Sequence, residues 1–90
     1  MKNLKAKHIL VKHQYEAEDI LRLLQRGENF ENLALKYSLC SSAQNGGDLG
    51  DLFGKKNLDP DFLETLESLK TGQVSPITRT RFGYHLIKRY

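Results

Sequence analysis

The sequence predicts an α+β domain in which helices pack on a small, mainly antiparallel sheet. Three observations carry this. Strand-like apolar segments stand at both ends of the chain, with helical apolar spacing between them. The connection into the last strand is too short for a parallel crossover. Ninety residues, 39% hydrophobic and 28% charged, supply one core and no more, so residues 1–90 read as one domain.

The first element is a strand over residues 6–11, Ala6-Lys7-His8-Ile9-Leu10-Val11, rich in apolar and β-branched side chains. Residues 15–26 switch to helical period: Ala17, Ile20, Leu21 and Leu24 share one face, and Gly27 stands where a helix ends. Asn29 is an N-cap for a second helix with the stripe Phe30, Leu33, Ala34 and Tyr37. Residues 38–47 form a polar connection ending in Gly46-Gly47, a pair that suits backbone angles which a Cβ disfavours. Residues 48–53 read as a short strand. Asp59-Pro60 starts a third helix, with Asp as cap and Pro at the first helical position. Phe62, Leu63, Leu66 and Leu69 line it, and Gly72 is expected to close it. Gln73 to Ile77 is an extended edge piece, because Pro76 cannot donate to a ladder. A short turn region of Arg, Thr and Gly leads into the closing strand, Tyr84 to Tyr90.

Composition excludes several classes. The apolar content argues against disorder, and no run approaches the roughly 18 apolar residues of a membrane span. The N-terminal Met1 to His8 is basic but lacks the apolar stretch of a signal peptide. One cysteine, Cys40, cannot form an internal disulfide and fits a reducing compartment; the expectation is a cytoplasmic protein, monomeric at this size. The formal charge of +3 and a pI near 9.1 give only a weak attraction to nucleic acid or an anionic membrane surface.

Three features point to chemistry. His8 and His85 lie in the two terminal strands, 77 residues apart in sequence; neighbouring strands would let the rings meet across one face, the bland alternative being two half-buried histidines bonded to backbone carbonyls. Leu58, Phe62 and Phe82 bracket the capped helix and the last turn and could floor an apolar pocket, or be ordinary core; Phe82 stands out because it sits in the polar turn Arg79-Thr80-Arg81-Phe82-Gly83. Cys40 lies in a loop. With two histidines elsewhere it admits a thiol-protease reading, although a lone cysteine is more often inert. Cys40, His8 and His85 are three conceivable metal ligands without a close-spaced pair to anchor a site, so no metal is expected. His13, beside Lys12, is expected to be solvated.

His8-Ile9-Leu10-Val11, Gly46-Gly47-Asp48-Leu49-Gly50 and Phe82-Gly83-Tyr84-His85-Leu86-Ile87-Lys88, in this order and spacing, resemble the parvulin family of peptidyl-prolyl cis-trans isomerases, in its minimal stand-alone prokaryotic form. The resemblance covers essentially the whole chain. It implies a four-stranded antiparallel sheet surrounded by about four helices, a parvulin/FKBP-like architecture. It implies that His8, His85, Cys40 and Thr80 occupy the catalytic positions and that Leu58, Phe62 and Phe82 hold the substrate proline. The family usually has Met where this chain has Leu58, and Asp59 adds a less usual charge at the rim. Rotation breaks no bond, so no cofactor is implied; the partners are proline-containing polypeptides. Phosphate-directed members carry a long basic loop after the first strand. Here only about Lys12-His13-Gln14 intervenes, so no phosphate dependence is expected. Two other classes compete. One is a non-catalytic module that binds proline-containing or unfolded segments. The other is a small basic nucleic-acid-binding domain built on Arg79, Arg81, Lys88 and Arg89, which lacks a base-stacking motif.

Overall fold

A computed structural model describes residues 3–90; Met1 and Lys2 of the basic N-terminal run lie outside the described residues. The strands are β1 (Lys5–Val11), β2 (Asp48–Asp51), β3 (Thr78–Thr80) and β4 (Gly83–Arg89). The helices are α1 (Gln14–Gln25), α2 (Phe30–Tyr37) and α3 (Pro60–Ser68), with a 3-10 turn at Ser41–Asn45. The four strands form one antiparallel sheet in the order β2-β1-β4-β3.

The first and last strands of the chain are therefore the two central ones. Their register pairs His8 with Ile87 and Leu10 with His85. Alternation then sends Ile9, Val11 and Leu86 to one face, where they pack with Ala17 and Ile20 of α1 and Phe30, Leu33 and Ala34 of α2. It sends Ala6, His8, His85 and Ile87 to the other face, where Ala6 and Ile87 pack with Phe62, Leu66 and Leu69 along α3. Both faces of the central strands are covered, which is why β4 reads as a nearly continuous buried run rather than a clean alternation.

The helix ends follow local chemistry. Gly27, at φ +94°, closes α1 as a Schellman motif: its N–H reaches Leu24 O at 3.0 Å and the Glu28 N–H reaches Leu23 O at 3.1 Å. Asn29 Oδ1 caps α2 by accepting from the Asn32 N–H at 2.9 Å. Asp59 Oδ1 caps α3, accepting from Asp61 N–H at 2.9 Å and Phe62 N–H at 3.3 Å, with Pro60 in the first turn.

Three local expectations are corrected. The third strand is Thr78–Thr80, within the segment read as a turn, and not Gln73 to Ile77. The earlier segment meets β4 through an isolated bridge between Val74 and Lys88: the Arg89 N–H donates to Gln73 O at 3.1 Å, the Ser75 N–H to Ile87 O at 2.7 Å and the Ile87 N–H to Ser75 Oγ at 3.0 Å, and Pro76, with no N–H, adds no donor. Gly72 does not close α3; the helix ends at Ser68, and Leu69 turns extended to bury its side chain. The connection at 38–47 is partly helical, holding the 3-10 turn. His13 is the N-cap residue of α1, with its exposed ring stacked on Tyr15.

Candidate active site

His8 and His85 sit as diagonal neighbours on β1 and β4, 5% and 3% exposed. Their rings stack with centroids 5.2 Å apart and planes 22° apart, and Nδ1 faces Nδ1 at 3.1 Å. The ring of Phe62, on the first turn of α3, stands edge-on to both, at 5.6 Å from His8 and 5.4 Å from His85. On the far side of His85, Nε2 lies 2.7 Å from Thr80 Oγ1. Thr80 Oγ1 also accepts the Phe82 N–H at 3.1 Å, which fixes the tip of the β3–β4 turn.

This chain sets the charge state. Burial, with the neighbouring His85 acting in the same sense, pushes the His8 pKa down to about 4. Burial also lowers His85, against the opposing pull of the Asp59 carboxylate. Both rings are therefore neutral near pH 7, with one proton each. The short contact between the two Nδ1 atoms holds one proton, which leaves two arrangements. In one, His85 donates to His8 and its Nε2 accepts from the Thr80 hydroxyl; His8 then carries its proton on Nε2. In the other, His8 donates to His85, and His85 Nε2–H donates to Thr80 Oγ1. Among the described residues, His8 Nε2 is buried without a hydrogen-bond partner.

The loop that carries Cys40 is sewn to the end of β1. Ser38 Oγ accepts the Leu10 N–H at 3.0 Å and the Cys40 N–H at 3.4 Å, and the Leu39 N–H reaches Leu10 O at 2.8 Å. Leu10 is the cross-strand partner of His85, so the loop is tied to the histidine strands. Gly47 lets the returning backbone pass: a Cβ there would lie 2.3 Å from His8 O, and its own carbonyl accepts the His8 N–H at 2.9 Å. The Cys40 thiol is half-buried, and no hydrogen bond joins it to a histidine among the described residues. Among the described residues there is also no cluster of three metal-ligating side chains.

The sequence-derived residues divide accordingly. His8, His85, Thr80 and Phe62 meet directly, and Phe82 joins them through its backbone. Leu58 is half-buried, packed with Leu49 and Leu63 against the Phe62 cluster. Phe82 does not floor the site; its ring is 62% exposed and forms a rim. The sequence reading passed over Ser38 and took Arg81 only as part of a basic cluster. Arg81 Nε lies 3.7 Å from Asp59 Oδ2, linking the β3–β4 turn to α3. A separate groove of about 480 Å³ runs between α3 and β3, lined by residues such as Asp61, Glu64 and Thr78, and holds none of the sequence-derived residues.

Residues 5–90 match the family described as Rotamase, the PPIC-type PPIASE domain. The Foldase protein PrsA of Bacillus subtilis (strain 168) is 44% identical over 86 residues, covering 96% of this chain and 30% of that protein. The Parvulin-like PPIase of Rickettsia conorii is 43% identical over 88 residues, covering 94% of this chain and 31% of that protein. The chain thus spans about a third of the length of these curated relatives. The crystal structure of PrsA from Bacillus subtilis superposes with a TM-score of 0.92 at 44% identity, covering 97% of this chain and 34% of that one. The solution structure of NmPin, the parvulin of Nitrosopumilus maritimus, gives a TM-score of 0.85 at 40% identity, covering 100% of this chain and 97% of that one.

Proposed function

The chain belongs to the PPIC-type peptidyl-prolyl isomerase family, and from that premise we propose that it accelerates cis–trans rotation about X–Pro bonds in polypeptide segments and so assists folding. The observation that carries this reading is the uncharged floor formed by the buried Phe62 ring edge-on to two buried, neutral histidines. The barrier to X–Pro rotation, about 18–20 kcal/mol, comes from amide resonance. Resonance polarises the planar carbonyl, and an apolar surface disfavours that form relative to the twisted one. Each tenfold acceleration needs about 1.4 kcal/mol of preference for the twisted form.

In this reading Leu58, Phe62 and Phe82 hold the pyrrolidine ring while the carbonyl turns. His8, His85 and Thr80 act as a hydrogen-bonded scaffold that keeps the floor neutral and rigid. Cys40 is a polarizable wall, since rotation needs no covalent adduct. Neither metal nor cofactor takes part. The charge of +3 gives nucleic acid and anionic membranes at most a weak hold. No described helix is long and apolar enough to cross a membrane. We read the domain as cytoplasmic, which its lone free thiol supports, and as a monomer, the default at this size.

The test is NMR exchange spectroscopy on an Ala-Leu-Pro-Phe-type peptide. Exchange cross-peaks that appear only with catalytic protein support the reading. Peptide-induced shifts around Leu58 and Phe82 without exchange favour a binding module that does not catalyse.

A further inference from the structure

Phe82 is an apolar ring at the tip of a hairpin, and its exposure leaves it little packing of its own. Its backbone is fixed by Thr80 Oγ1. Its ring is covered by Arg81, whose guanidinium carbon lies 5.0 Å from the ring centroid. Arg81 is in turn held by Asp59 Oδ2. Asp59 is itself held in place: its side chain is 8% exposed, and Oδ1 caps α3 by accepting from the N–H groups of Asp61 and Phe62. One carboxylate oxygen therefore holds the helix that carries Phe62, and the other holds the turn that carries Phe82. The neighbouring cation Arg79 is engaged elsewhere, over the Tyr84 ring at 5.7 Å.

We propose that Arg81 is a positioning residue, a strap from Asp59 across the Phe82 ring that fixes the rim of the proline pocket to its floor. The assignment rests on reading that surface as the proline site. The strap acts on peptide affinity and not on the rotation step, because it lies outside the His8, His85 and Phe62 floor. With the Arg81 end of the pair exposed to solvent, screening limits its effect on an equilibrium constant to roughly fivefold.

The test compares Asp59→Asn, Arg81→Gln and Arg81→Lys with the unaltered protein. Asn keeps the helix cap and removes only the charge. Peptide affinity is measured by NMR titration with the same Ala-Leu-Pro-Phe-type peptide, the exchange rate is measured at saturation, and the ring proton shifts of Phe82 are recorded in the free protein. Asp59→Asn and Arg81→Gln should each weaken affinity roughly two- to fivefold, with the saturated rate changed by less than about twofold. Both should move the Phe82 ring shifts, and Arg81→Lys should recover part of the loss. Raising ionic strength from about 0.01 M to about 1 M should weaken the unaltered protein's affinity and leave the two charge-removing variants less affected. Unchanged affinity and ring shifts in Asp59→Asn would overturn the strap, as would a loss confined to the saturated rate. The ring shifts need no substrate. If the unaltered protein neither binds nor accelerates exchange, the isomerase reading fails, and the ring shifts still decide the strap.

Discussion

His8 and His85, separated by 77 residues in sequence, face each other Nδ1 to Nδ1 at 3.1 Å because β1 and β4 are neighbours whose register leaves the two rings diagonal on one face. Only one proton fits between them, so the pair is stable when neutral and opposes protonation. The consequences are measurable.

Stability should fall with acidification before the carboxylates titrate. His8 is held down from 6.5 to about 4 in the folded state, so folding favours its neutral form. That contribution is complete above pH 6.5 and is lost as pH falls toward 4. The full shift is worth at most about 3 kcal/mol. Glu31, Asp48 and Asp51 are depressed from ordinary carboxylate values of 4.5, 3.8 and 3.8, so their stabilisation is lost only below that range. Thermal melts between pH 7 and 5 therefore isolate the histidines. Imidazole NMR should find His8 neutral at pH 5.5; a midpoint near 6.5 would contradict the burial argument.

Thr80→Val should remove the hydroxyl partner of His85 Nε2 and the acceptor for the Phe82 N–H with little change in shape. The expected cost is about 1–3 kcal/mol, read as a lower Tm, and Thr80→Ser should restore most of it. If the valine variant melts with the parent, the hydrogen-bond chain is not supporting the site.

Phe62→Ala and Phe82→Ala should separate floor from rim. Phe62 is buried, so its truncation should cost about 3–5 kcal/mol as well as activity. Phe82 is exposed, so its truncation should change stability by less than about 0.5 kcal/mol while raising KM. Melting and exchange rates on both variants check this. A Phe82→Ala protein with undiminished peptide affinity would remove Phe82 from the site.

Cys40→Ser and Cys40→Asp should retain measurable exchange activity, because the thiol is not hydrogen-bonded to a base. Complete loss in a folded Cys40→Asp protein would argue for a covalent or thiolate role.

A phosphoserine or phosphothreonine before proline should bring no acceleration. β1 ends at Val11 and α1 begins at Gln14, so only Lys12 and His13 separate them. One lysine does not make a phosphate clamp. Paired phosphorylated and plain peptides in the exchange assay give the comparison.

Much of this was legible in the sequence because local signals agreed with the tertiary structure. The Asn29 and Asp59-Pro60 caps and the helical stripes were read from spacing alone, and strand alternation placed each histidine on its face. The parvulin resemblance linked His8, His85 and Thr80, a relation that spans the chain and that spacing could not supply. The errors arose where a single residue decides the outcome. Pro76 displaces the third strand to Thr78–Thr80, and burial of Leu69 ends α3 before Gly72. The bonds of Ser38 to the Leu10 N–H and of Arg81 to the Asp59 carboxylate were not legible, because those partners lie in other elements.

The most direct test of the central claim is exchange spectroscopy on the Ala-Leu-Pro-Phe-type peptide with catalytic amounts of protein, repeated with Phe62→Ala after its folded state has been verified by its own spectrum. The account predicts cis–trans cross-peaks that require the protein and vanish with the Phe62 ring. Equal exchange with and without the protein, or exchange unaffected by loss of Phe62 in a folded chain, would contradict it.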